Sequence, residues 1–246
     1  GFMTSEFPSR FGIYSNDDAQ DGVSVDHKFL AELFQNHGYD TSAIGKWHLG
    51  YLQKHHPMNF GFQKFVGFKS GNVDYQSHRN RYGDVDWWDG LEMKNMPGYT
   101  TTLLTTLSED YIKENKDKPF CLYIAHAAPH SPMQGPNEKA IRTEATLEGD
   151  KNSDRPNKEI YKDMVEELDW SVGRILETLK KYKLDKNTFV VFFSDNGPVI
   201  NNGGSTGGYR GAKGAPWEGG HRVPGICYMP GTVKGGTMCK QTVMSF

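Results

Sequence analysis

The chain is expected to fold as an α/β protein with a mostly parallel sheet and helices on both of its faces. Strand-like runs alternate with helical periodicities along its length. The strongest helical pattern, over residues 156–182, sets Ile160, Met164, Val165, Leu168, Val172, Ile175, Leu176 and Leu179 at three- and four-residue steps. Residues 188–193, Thr-Phe-Val-Val-Phe-Phe, are almost continuously apolar and β-branched or aromatic. That composition suits a central parallel strand covered on both faces.

The remaining elements follow in chain order. Residues 1–23 are rich in Gly, Ser and Asp around Phe7-Pro8-Ser9-Arg10 and read as a loop. A helix is expected from Ser24, a capping residue, to about Asn36. Phe29, Leu30, Leu33 and Phe34 form its apolar face and Gly38 stands at its stop. Thr41-Ser42-Ala43-Ile44 then reads as a strand that runs into Gly45-Lys46-Trp47-His48-Leu49-Gly50. In an extended chain Lys46 and His48 share a face and Trp47 takes the other. A fixed cation beside an imidazole at a strand end suits an anionic substrate; a buried Trp between two solvated polar groups explains the hexapeptide equally well.

Residues 51–98 lack periodicity and are dense in aromatics, the signature of a functional or mobile segment. Phe62 and Phe65 read as packing under it. Trp87-Trp88, beside Asp84 and Asp86, could form a sugar-stacking wall. A second helix is expected over 101–115, with Leu103, Leu104, Leu107, Tyr111 and Ile112 inside, and a strand over 120–125. His130 follows, held between Pro129 and Pro132. Residues 133–155 read as polar loop. Lys180, Lys181 and Lys183, at the end of the long helix, complement its dipole. The strand at 188–193 ends in Ser194-Asp195-Asn196-Gly197, whose oxygen donors suit a hard cation such as Ca²⁺ or Mg²⁺, although Asp-Asn-Gly is also an ordinary turn. A glycine-rich stretch enters Gly211-Ala212-Lys213-Gly214, and a last strand runs from Gly225 to Met229.

Composition limits the function classes. With 246 residues and a net charge of −2, the chain is large enough for one α/β domain and is no general nucleic-acid binder. No apolar run is long enough to span a membrane. Cys121, Cys227 and Cys239 lie too far apart for a disulfide framework or metal-ligand spacing; Cys121 and Cys227 read as small buried hydrophobes. An opening on Gly1 rather than Met carries no information about a targeting segment.

Four strand exits thus carry Lys46/His48, His130, Asp195/Asn196 and Lys213. Together, two lysines, two histidines and a hard metal could neutralise a tetrahedral oxyanion and protonate a leaving oxygen. Gly38-Tyr39-Asp40-Thr41-Ser42-Ala43-Ile44-Gly45-Lys46-Trp47-His48-Leu49-Gly50 resembles the second signature of formylglycine-dependent sulfatases, within the alkaline-phosphatase-like superfamily. Pro129-His130-Ser131-Pro132, Ser194-Asp195-Asn196-Gly197, and Gly211-Ala212-Lys213 through Trp217-Glu218-Gly219-Gly220-His221-Arg222-Val223-Pro224 resemble further elements of that family, in its order.

The resemblance implies a truncated alkaline-phosphatase-like core. Lys46 and Lys213 would hold sulfate oxygens, His48 would serve the formylglycine hydroxyl, and His130 would assist the leaving group. Asp195 and Asn196 would bind the metal, Ca²⁺ or alternatively Mg²⁺, with Arg222 in a scaffold ion pair. The family's Cys/Ser-x-Pro-Ser-Arg nucleophile motif is not matched. Residues 2–10 align with the stretch that follows it, with Ser5-Glu6 in place of Gly-Arg. The nucleophile and the paired upstream Asp ligands are therefore expected before Gly1, and residues 1–246 form one partial catalytic domain, truncated at both ends and inactive alone.

The implied activity is sulfuric ester hydrolysis on a sulfated carbohydrate or aryl sulfate, by an enzyme served by a formylglycine-generating or other maturase. A phosphodiester or phosphonate hydrolase of the same superfamily and a non-catalytic binder of sulfated glycans are the alternatives. The resemblance also implies export, periplasmic or secreted, or lysosomal in a eukaryote; the lack of an Asn-x-Ser/Thr sequon favours the bacterial case.

Overall fold

The structure, a computed structural model, describes residues 1–15, 22–24, 26–143 and 153–239. Its main sheet has five strands: β1 (Asp40–Lys46), β2 (Lys64–Phe68), β3 (Trp88–Asp89), β4 (Glu92–Met93) and β5 (Phe120–Ala125). Their order is β4-β3-β2-β1-β5; β2, β1 and β5 run parallel, and β3 and β4 add antiparallel. A separate antiparallel pair joins β6 (Val190–Phe193) to β7 (Gly225–Tyr228). The helices are α1 (Leu30–Asn36), α2 (Thr100–Glu114), α3 (Asn157–Lys181) and the single turn α4 (Glu218–His221).

Alternation along β1 divides the core. Ile44 faces Leu104 and Tyr111 of α2 and Ile160 and Met164 of α3. Ala43 faces the opposite cluster, with Phe29, Ala31, Trp47, Phe60 and Phe65. Helices therefore cover both faces, as expected. Each fully buried aromatic here contributes about 1.5–3 kcal/mol. Helices α2 and α3 are joined by polar contacts: the Thr105 and Ser171 hydroxyls lie 2.6 Å apart, and the Arg174 guanidinium donates to both oxygens of Glu109 at 2.9 and 3.2 Å.

Two glycines bring the strands together beside the site. Gly45 pairs with Gly67 on one side and Ala125 on the other. A Cβ on Gly67 would overlap the Gly45 carbonyl, and one on Gly45 the Ala125 carbonyl. Both glycines also have positive φ, +149° and +114°.

Several expectations need correction. Residues 190–193 form no central parallel strand: among the described residues β6 pairs only with β7, antiparallel, and Val191 and Phe192 are exposed. Continuous apolar character marks a strand meant to be covered, but it does not say by what. Helix α1 begins at Leu30, not at Ser24. The Ser24 hydroxyl is engaged locally, accepting from Asp26 N and donating to its carboxylate, while Glu32 reaches back to accept from Phe29 N at 2.8 Å. Ala31, not Leu33, faces inward. The expected helix also crosses residue 25, outside the described residues.

Residues 51–98 are no open loop, for they carry β2 and the fully buried Phe60, Phe65, Phe68, Tyr75 and Trp87. Of the expected loops, 16–21 and 144–152 lie outside the described residues. Gln134, within 133–155, is fully buried, accepting from Tyr75 N at 2.9 Å and donating to Asp74 and to the Lys139 carbonyl. Cys227 is exposed on β7 and Cys121 only half-buried, its thiol pushed up to about 11 by burial.

Candidate functional site

All six residues singled out in the sequence line one cleft of about 2160 Å³: Lys46, His48, His130, Asp195, Asn196 and Lys213. Lys46 is the last residue of β1, just past the close approach at Gly45. Backbone pairing continues beyond it, with Trp47 N donating to Phe68 O at 2.9 Å and His48 N to Lys69 O at 3.1 Å. Trp47 turns into the core, where its indole donates to the His55 carbonyl at 2.8 Å. His48 has φ +51°, so strict alternation ends there, yet Lys46 and His48 both reach the cleft. Its ring lies against Gly71, where a Cβ would stand 2.7 Å from Nε2.

His130 leaves β5 through Ala127-Ala128-Pro129. Its backbone N–H donates to Ala127 O at 2.9 Å, and its carbonyl accepts from the Tyr75 hydroxyl at 2.9 Å. The ring's Nδ1 lies 2.7 Å from the Ser131 carbonyl, which can only accept. Nδ1 therefore carries the proton, and Nε2 is the open nitrogen.

The electrostatics are those of a cationic cup. Lys46 is half-buried and, among the described residues, makes no hydrogen bond or ion pair. Its pKa is lowered, first by burial and then by Lys213, with Asp195 opposing. His48 is brought down to about 4 by burial, then by Lys46, His130, Arg81 and Lys213. His130 is lowered by burial and by the same two lysines, with the Ser131 carbonyl and Asp195 opposing. Both shifts favour the neutral imidazole.

The exposed Asp195 has no hydrogen bond or ion pair among the described residues, and the Asn196 amide donates to Gly197 O at 3.0 Å. These oxygen donors fit a hard cation in kind but not in number. Ca²⁺ takes about six to eight oxygen ligands, and among the described residues no three His, Cys, Asp or Glu side chains are grouped to hold a metal. Arg222 lines the cleft too, bonded to Glu218 at 3.4 Å and stacked 4.6 Å from the Tyr209 ring centroid, the scaffold arrangement expected.

The sugar-stacking wall is corrected. Trp87 is fully buried against Phe68 and His78. Trp88 lies under the Lys69 ammonium at 3.9 Å and donates to Asp86 at 2.7 Å. Sequence reasoning also passed over Tyr51, whose ring centroid is 6.4 Å from that of His48, and Arg81, whose charge acts on His48. Neither lies in a recognisable motif; Tyr51 directly follows Gly50, whereas Arg81 is carried on the separate segment 69–86.

The family model described as Sulfatase matches residues 1–245. The chain is 33% identical to the uncharacterized sulfatase YdeN of Escherichia coli (strain K12), over 97% of this chain and 45% of that protein. It is 31% identical to the N-acetylgalactosamine-6-sulfatase of Mus musculus, over 98% and 47%. The solved structure of Ps i-CgsB in complex with k-i-k-neocarrahexaose superposes with a TM-score of 0.80 at 29% identity, covering 94% of this chain and 54% of that one. The chain thus spans about half the length of the curated relatives it matches. Among the described residues no helix is long and apolar enough to cross a membrane.

Proposed function

Since this chain belongs to the sulfatase family, we propose that it supplies the anion-binding and proton-transfer half of a sulfuric ester hydrolase acting on a sulfated carbohydrate. One observation carries the reading: Lys46 holds a half-buried ammonium with no ion pair or hydrogen bond among the described residues, facing the cleft that Lys213, His48 and His130 also line. Only the unbonded charge of Asp195 opposes the burial of this cation, so a bound anion would complete it.

Lys46 and Lys213 take the sulfate oxygens as point charges. The bound anion offsets the two lysines that depress His130, so that ring can load a proton at Nε2 and pass it to the departing sugar oxygen. His48, neutral with a pKa of about 4, serves as the base toward the hydroxyl of the attacking group. That group, a formylglycine made from Cys or Ser by a maturase, is expected on the polypeptide upstream of Gly1 and supplies the nucleophile. Asp195 and Asn196 offer two ligands to a hard cation, Ca²⁺ rather than Zn²⁺, which would polarise the sulfate. Export to the periplasm or outside the cell accords with a glycan substrate. The carbohydrate itself is supported by the Ps i-CgsB complex, whose ligand is an oligosaccharide.

The test is release of sulfate from 4-nitrophenyl sulfate and from a sulfated oligosaccharide. A polypeptide completed upstream with the nucleophile motif should turn over, and this chain alone should not. Cleavage of a phosphonate monoester, with both sulfate esters left intact, would move the reading to the phosphoryl branch of the superfamily.

A further inference from the structure

The glycine-rich segment 203–214 supplies Lys213 to the cup, and it also brings an aromatic ring to the same cleft. Tyr209 lines that cleft together with Lys213, Asp195 and Arg222. The turn that carries the ring closes on itself: Tyr209 N donates to Thr206 O at 3.3 Å, and the Thr206 hydroxyl donates to Tyr209 O at 2.8 Å. Gly207 and Gly208 permit it, with φ +63° and +95°. A Cβ on either would meet nothing within 4 Å, so the turn stands in open space.

The turn is tied to the Asp195-Asn196 segment. Arg210 O accepts from Gly219 N at 2.8 Å, and Gly220 O accepts from Gly197 N at 2.8 Å, directly after Asn196. Lys213 N donates to Pro198 O at 3.0 Å. A Cβ on Gly219 would overlap the Gly211 carbonyl, and one on Gly197 the Gly219 carbonyl, so these backbones touch. Lys213 is four residues on from Tyr209, which puts their Cα atoms at most about 14 Å apart. That is the reach of a short oligosaccharide, not of one sulfate group.

The ring is held but not covered. The Arg222 guanidinium carbon sits over it, 4.6 Å from the centroid, and Arg222 is bonded in turn to Glu218 at 3.4 Å. Tyr209 is nevertheless 42% exposed, and its hydroxyl makes no hydrogen bond among the described residues. Trp217 is similarly exposed under Arg210, at 3.6 Å, but it does not line the cleft.

We infer that Tyr209 is a sugar platform at the rim of the sulfate cup: a pyranose adjoining the sulfated sugar lays its apolar C–H face on the free side of the ring. The inference rests on the sulfatase reading and narrows its substrate class to oligosaccharides. The negative face of the ring attracts the weakly positive C–H hydrogens, and the contact takes apolar surface out of water on both partners. Arg222 orients the ring in advance, which lowers the ordering cost of binding.

The experiment measures kcat/KM of the completed polypeptide on trisaccharides ending in a sulfated galactose or a sulfated glucosamine, each divided by kcat/KM on that sulfated monosaccharide. Tyr209→Ala should lower the ratio by about tenfold, through KM, while Tyr209→Phe stays within about twofold of the parent. A Tyr209→Ala ratio within about twofold of the parent, a uniform loss on trisaccharide and monosaccharide, or a Tyr209→Phe loss as large as that of Tyr209→Ala overturns the inference and leaves the sulfatase reading standing. A parent that cleaves 4-nitrophenyl sulfate and none of the sugars overturns it too. A parent that releases sulfate from no substrate removes the sulfatase reading, and the platform with it.

Discussion

At the scale of single residues the site is held against the interest of stability. Lys46 gains little from the fold: its ammonium is half-buried and bonded to nothing among the described residues, and the attraction of Asp195 is set against burial and the repulsion of Lys213. Replacing it with Met keeps the packed stem and removes the charge. Lys46→Met should therefore raise the thermal midpoint of this chain, by on the order of 1 kcal/mol in stability. In the completed polypeptide Lys46→Ala should cut kcat/KM on a sulfate ester by about 10²-fold or more. A less stable Met variant would mean that Lys46 is structural.

The histidines set the pH response. His48 and the cleft-lining His126 both fall to about 4 in the folded chain, from an ordinary 6.5, and burial is the leading cause for each. Between those values the unfolded chain binds protons that the folded one refuses, so stability rises with pH through the window and is lost as pH falls. Urea midpoints should drop steadily from pH 6.5 to 4, and His126→Gln should flatten that slope. Carboxylates held low, such as Asp74 with its four backbone donors, act only below their ordinary 3.8, so a loss confined to that lower range would contradict the histidine account.

Among the elements, what could be read from sequence was whatever has a period or a motif of its own. The long helix, the second helix and β5 came within a residue or two of their observed bounds, because each satisfies its own backbone and shows one repeating apolar face. That the six candidate residues meet in one cleft was legible for a different reason: charge and imidazole recur at strand exits, and the motifs that carry them sit in family order. Strand β2 was not legible. Gly61 and Gly67 interrupt the alternation of Phe60, Phe62, Phe65 and Phe68, and the strand is defined by β1 beside it rather than by its own pattern. One of them, Gly67, also brings β2 close to β1, and Gly45 does the same for β1 and β5. Gly45→Ala should therefore be severe, since it combines an overlap with the Ala125 carbonyl and a φ of +114°. A loss of about 3 kcal/mol or more is expected in urea unfolding. A loss under about 1 kcal/mol would show that the sheet yields there cheaply.

For the whole molecule, the unexpected position of β6 has a physical consequence. In this chain β5 ends the main sheet and β6 ends its own pair, so each keeps one side of its backbone unpaired among the described residues. Between them lies the large cleft, lined by Leu122 and Ile124 of β5, Val191 and Phe193 of β6, and Val172 and Leu176 of α3. Gly1 and Phe2 lie on its wall, with the Phe2 ring 4.9 Å from that of Phe193. Two unpaired edges around an apolar cleft are a template for pairing with another chain. The isolated chain should bind a hydrophobic dye in its folded state and should sediment as concentration-dependent oligomers. Val191→Lys, at an exposed position on β6, should reduce that association without lowering the thermal midpoint. Extending the polypeptide upstream of Gly1 by a strand-forming segment should suppress both dye binding and association, because the added strand can pair with β5 and β6 and cover the apolar lining. A monomeric chain with no dye binding would mean that the two sheets close on each other in solution, and the cationic cup would then be assembled by a packing other than the one described.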